Sequence, residues 1–126
     1  ASTLVNVAGV SQVLGESYVT YANSAKEKLL GVSGDTLARL GAVSSQVAEQ
    51  MAKGAAKKAG AQAAIAVTGI AGPDGGTPDK PVGLVFIGCF ADGKVVVTEN
   101  HFEGNRLEIR QQTVKAALLQ LLDCLE

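Results

Sequence analysis

Two apolar runs, Val82–Phe90 and Val95–Phe102, are separated only by Ala91-Asp92-Gly93-Lys94. An Asp-Gly pair between such runs is a hairpin signal, because the favoured tight turns need positive φ at their central positions. Strands joined this closely run antiparallel, so a purely parallel sheet is excluded. Every further element has to be arranged around that pair.

Upstream of it, Val47, Met51, Ala55 and Ala59 recur at four-residue spacing and predict a helix from Ser44 or Ser45 to Ala59. Lys57 and Lys58 fall in its last turn, favourable at the negative end of the helix dipole, and Gly60 ends it. The run Ala63-Ala64-Ile65-Ala66-Val67 is short and wholly apolar, as expected of a strand buried on both faces. Asn23 to Leu30 has helical spacing and stops at Gly31, while Ser33 starts a short helix closed by Gly41. A final helix is predicted from Arg106 to about Leu122, with Asn105 as its cap and Glu108 completing a capping box. Ser17–Tyr21 has the β-branched and aromatic content of a fourth strand, and residues 2–8 read as the end of a helix. The order of elements predicts one α/β domain over residues 1–126, a three-layer α/β/α sandwich with a small mixed sheet. A fifth strand is expected ahead of a helix that starts so abruptly, so the domain reads as truncated at its N-terminal end.

The chain's 126 residues suffice for one core and are too few for two. Aromatics make up only 4% and tryptophan is absent, so that core is built from Ala, Val, Leu and Ile. A formal charge of -1 provides no basic face for a nucleic acid. No apolar run approaches the length of a membrane span, and with no signal peptide visible a cytoplasmic location is expected. Cys89 and Cys124, the only two cysteines, lack CxxC spacing and read as reduced core thiols rather than a disulfide framework or a metal site.

Three places can carry chemistry. The segment Thr68–Pro78 follows the apolar strand directly and contains Gly69, Gly72, Gly75, Gly76, Pro73 and Pro78. Ligands in α/β sheets bind beyond the carboxyl ends of strands, where glycines admit close approach and prolines stiffen the path. The same composition also suits a purely structural connection. It matches neither a P-loop nor a dinucleotide fingerprint. Lys26, in the first turn of the Asn23–Leu30 helix, sits where the dipole disfavours a cation, which would lower its pKa; an exposed surface lysine is the alternative. Asn23 reads as a cap. Gly104-Asn105-Arg106 opens the last helix with free N–H groups and a guanidinium, suited to an anion or simply solvated. His101, the only histidine, reads as a solvated strand residue, and Ser44 and Ser45 as caps.

Thr68-Gly-Ile-Ala-Gly-Pro-Asp-Gly-Gly-Thr-Pro-Asp-Lys-Pro-Val-Gly83 resembles the signature of the C-terminal domain of the competence/damage-inducible CinA family, which includes nicotinamide mononucleotide deamidases. Tyr21-Ala-Asn-Ser-Ala-Lys-Glu-Lys-Leu-Leu-Gly-Val32, Gly41-Ala-Val-Ser44 and Phe102-Glu-Gly-Asn-Arg106 are similar to its other motifs, in order, over essentially the whole chain. The resemblance implies an anticodon-binding-domain-like sandwich. It also implies hydrolysis of nicotinamide mononucleotide to nicotinic acid mononucleotide and ammonia by a Ser–Lys mechanism, with no metal and no cofactor. It places Lys26 and Tyr21 in the catalytic set, and Asn23, Ser44, Thr68, the loop glycines and Arg106 against the substrate. The family's serine lies in a Glu-Ser-Cys-Thr-Gly-Gly motif upstream of Ala1, and none of the serines here has that context. Glu16-Ser-Tyr18 and Asn105 depart from the usual family residues. The alternative expectation is a non-catalytic nucleotide-binding or regulatory module. Either way the expected partners are a small nucleotide and further copies of the chain, with no nucleic acid or membrane.

Overall fold

The computed structural model describes residues 1–126. Its sheet has three strands, β1 (Ala63–Gly69), β2 (Leu84–Ala91) and β3 (Lys94–His101), in spatial order β1-β2-β3. Both pairings are antiparallel. The β2–β3 turn is the expected one, with φ of 55° at Asp92 and 77° at Gly93, the positive pair of a type I′ hairpin.

Four α-helices flank the sheet: α1 (Asn23–Leu30), α2 (Gly34–Leu40), α3 (Ser45–Ala59) and α4 (Arg106–Leu125). Each forms where the local signals put it. Ser33 accepts from the Thr36 N–H, and Ser44 from the Val47 N–H. Asn105 and Glu108 form the expected reciprocal capping box. Gly31 and Gly60 end α1 and α3 in the left-handed conformation. Helix α1 differs in one detail. Its cap is Ala22, and Asn23 is already helical with no capping hydrogen bond.

The layers follow from the period-two alternation of the strands. One face of β2 carries Leu84, Phe86 and Gly88 and receives α3. A Cβ on Gly88 would lie 2.7 Å from the Ala48 carbonyl oxygen, so the missing side chain sets how closely this helix approaches. The other face carries Val85 and Ile87, which pack with Ile109 and Ala117 of α4. Helices α1 and α2 close on α3 through Leu30, Val32, Leu37, Val47 and Met51. Covered on both sides, β2 is the buried strand, whereas β1 is an edge and only part-buried.

Beyond the two-sided burial expected of β1, two further expectations fail. Ser17–Tyr21 joins no ladder, so the chain forms three strands and no parallel pair. Strand propensity becomes a strand only where a neighbouring backbone takes up its N–H and C=O groups. Residues 2–8 are no helix end; they hold one 3-10 turn, Leu4–Asn6, and a second follows at Val10–Gln12, neither with a buried residue. Leu4 and Val7 meet no apolar layer there, and a short helix without packing is not stable.

Candidate functional site

Part of the predicted set, Ser44, Thr68, the loop glycines and Arg106, gathers at the carboxyl end of β1. Thr68 is buried, and its Oγ1 donates to the Ala42 carbonyl at 2.8 Å, fastening the strand tip to the segment between α2 and α3. Ser44, in that segment, is also buried; its hydroxyl donates to the Gly41 carbonyl at 3.1 Å and accepts from Val47 N–H. The loop 70–83 is closed at its base by backbone bonds, Ile70 N–H to Leu84 and Gly83 N–H to Ile70.

Its glycines have distinct reasons. A Cβ at Gly69 would meet the Leu84 carbonyl oxygen at 2.8 Å, and one at Gly76 the Val82 nitrogen at 2.8 Å. Gly72 and Gly75 have φ of 78° and 92°. A Cβ at Gly72 would strike Val82, whereas at Gly75 only Ile70 lies within van der Waals contact, at 3.7 Å. Three of the four thus serve the loop's own packing, and Gly75 alone faces room.

Two cations tie this loop to its surroundings. Arg106, first residue of α4, donates through an Nη to the Gly72 carbonyl at 2.8 Å. Lys80 donates through Nζ to the Leu40 carbonyl at the end of α2. Lys80 was not singled out by sequence. It borders a shallow hollow at the start of α3, together with Ser44, Ser45 and Glu99. Only its place within the Thr68–Gly83 spelling of the loop could have marked it, and nothing in its local sequence shows that it reaches α2.

Lys26 stands apart from this group. It is 7% exposed, and Nζ donates to the Thr20 carbonyl at 2.5 Å. No carboxylate pairs with it, and no hydrogen bond links it to Ser44, Thr68 or Arg106. Its pKa is lowered by burial, which penalises the charged ammonium. Tyr21 is 85% exposed and makes no side-chain hydrogen bond, and Asn23 is exposed. His101 lies on the surface with Glu99 at 3.1 Å, as expected of a solvated residue. No group of three or more His, Cys, Asp or Glu side chains is placed to hold a metal ion.

The chain is thus an α/β domain of three layers, with the loop after β1 and the α2–α3 segment collected beyond one strand end. The sequence matches the family model described as the CinA C-terminal domain over residues 1–125. A CinA-like protein of Kosmotoga olearia is 50% identical over 118 residues, covering 94% of this chain and 29% of the relative. A putative competence-damage inducible protein of Clostridium novyi is 52% identical over the same length, with 94% and 28% covered. Among solved structures, the competence/damage inducible protein CihA of Agrobacterium tumefaciens superposes with a TM-score of 0.97 at 46% identity, covering 99% of this chain and 77% of that one. A CinA superfamily protein of Escherichia coli gives 0.92 at 37% identity, with 96% and 70% covered. The chain belongs to the CinA C-terminal domain family. It spans less than a third of the length of these curated relatives.

Proposed function

We propose that this domain hydrolyses the carboxamide of nicotinamide mononucleotide, giving nicotinic acid mononucleotide and ammonia. The observation that carries the reading is Lys26, a buried amine with no carboxylate partner and a pKa lowered by burial. That is the condition a lysine needs to act as a base or to activate a hydroxyl. In this reading Lys26 takes the proton of a serine as its oxygen attacks the carboxamide carbon, then returns it to the departing ammonia. Water hydrolyses the resulting ester. The family resemblance gives the nucleophile as the serine of a Glu-Ser-Cys-Thr-Gly-Gly motif, and no serine within residues 1–126 is assigned the role. N–H groups of the loop after β1 stabilise the oxyanion, with Thr68 at the strand tip. Arg106 and the start of α4 hold the phosphate, Tyr21 belongs with Lys26 to the catalytic set, and Asn23 and Ser44 border the substrate. The reaction as written uses no cofactor.

The test is ammonia release from nicotinamide mononucleotide by the full polypeptide that carries the domain. Lys26→Ala is expected to lower turnover by roughly two to four orders of magnitude. Undiminished turnover rejects the lysine as base. One observation favours a second reading, nucleotide binding without catalysis. The hydroxyls of Ser44 and Thr68 are both committed to backbone carbonyls, so neither is hydrogen-bonded to Lys26. Calorimetric binding of the nucleotide with no ammonia released would select it.

A further inference from the structure

Cys89 and Cys124 are brought together by the seating of α4 on the sheet. Cys89 is fully buried on the α4 side of β2, opposite Ile65 of β1 and Val96 of β3. Cys124 lies half-buried in the last turn of α4 and borders an open groove between that helix and β3. One turn earlier, Gln120 fixes the helix in place. Its Nε2 donates to the carbonyls of Ile87 at 2.9 Å and Val96 at 3.0 Å, and its Oε1 accepts from Thr98 at 2.6 Å. From Gln120 to Cys124 the helix advances about 6 Å. From Ile87 to Cys89, on the same face, the strand advances about 7 Å. The two steps match, so Cys124 comes down at the level of Cys89 on the face of β2 that α4 covers.

We propose that Cys89 and Cys124 form an intramolecular disulfide when the protein meets a small-molecule disulfide such as oxidised glutathione, fastening the end of α4 to β2. Cys124, the thiol that reaches solvent, loses its proton and attacks one sulfur of the reagent. One glutathione thiol leaves. Cys89 then gives up its proton, its sulfur attacks Cys124 Sγ, and the second glutathione thiol departs. Two protein thiols and one disulfide thus become one protein disulfide and two small thiols, with both protons carried off on the leaving groups. The order follows from the surroundings: burial, together with the neighbouring Cys124 thiol, pushes the Cys89 thiol up to about 12, so it is the resolving and not the attacking group. The bond would close the chain from Cys89 to Cys124, enclosing β3 and α4, and restrict the unfolded state accordingly.

Incubation of the full chain with oxidised glutathione, followed by non-reducing digestion and mass analysis, tests this. The expected product is a Cys89–Cys124 linked peptide, with an intact mass lower by about 2 Da and a Tm raised by roughly 5–15 °C. Cys124→Ser, which alters only the groove-side thiol, should abolish both the link and the oxidant-induced Tm shift. Two thiols still free, a glutathione adduct on Cys124 that never resolves, or a dimer joined through Cys124 would each overturn the proposal.

Discussion

Lys26 shows how much a single side chain can depend on packing. A lysine buried beside a carbonyl is harder to keep charged than one in water, because burial penalises the ammonium. Folding therefore releases its proton in the window between the lowered folded pKa and the ordinary lysine value. In that window the unfolded chain binds more protons than the folded one, so stability contributed by this residue rises with pH. Below the folded pKa the full cost of the buried charge is present. A Lys26→Met variant, which keeps the stem and drops the charge, is expected to be at least as stable as the parent at pH 7 by urea denaturation. Its advantage should shrink as pH climbs through the window; an advantage that grows with pH contradicts the assignment. The sequence shows Lys26 in the first turns of a helix, but not its burial or the Thr20 carbonyl that receives its Nζ. Thr68 is similar. Its hydroxyl is legible at the strand tip, whereas its acceptor at Ala42 is set by the distant α2–α3 segment.

At the scale of elements, the packing of α1 on α3 rests on Gly54. A Cβ there would lie 1.7 Å from the Leu30 carbonyl oxygen, a backbone atom with no freedom to step aside. Alanine would improve helix propensity by about 1 kcal/mol. Forcing the helices apart costs about 1–3 kcal/mol or more. The clash wins, so Gly54→Ala should lower unfolding stability, and a stabilised variant would show that α1 is not seated as described. Elements with local causes were legible: the caps Ser33, Ser44 and Asn105, the stops Gly31 and Gly60, and the Asp92-Gly93 turn all act within a few residues. Ser17–Tyr21 was not, because a strand needs a partner and the ladder here offers none. The apolar run of β1 misleads for the same reason. Its composition suits a central strand, but the pairing order gives the centre to β2.

Across the whole molecule, the arrangement of the candidate site was half legible. The spelling from Thr68 to Gly83 was enough to identify the family. The ties that hold the loop were not legible: Arg106 to Gly72 and Lys80 to Leu40 span different helices, and no local pattern encodes such distances. Those ties join a loop whose base is already stitched to the sheet. Ile70 donates to Leu84, Gly83 to Ile70 and Phe102 to Gly83, while a Cβ on Gly83 would sit 2.0 Å from the Phe102 carbonyl oxygen. The loop therefore has two regimes of motion in one segment. In deuterated water the amides of Ile70, Gly83 and Phe102 should exchange as slowly as those of β2, opening only with the sheet. Those of Asp74, Gly75 and Gly76 should exchange freely, and uniformly fast exchange from residue 70 to 83 would show that the base is not closed. A ligand settling on this loop would then meet a fixed hinge line and a yielding tip, and its arrival should be read as protection confined to residues 74–76.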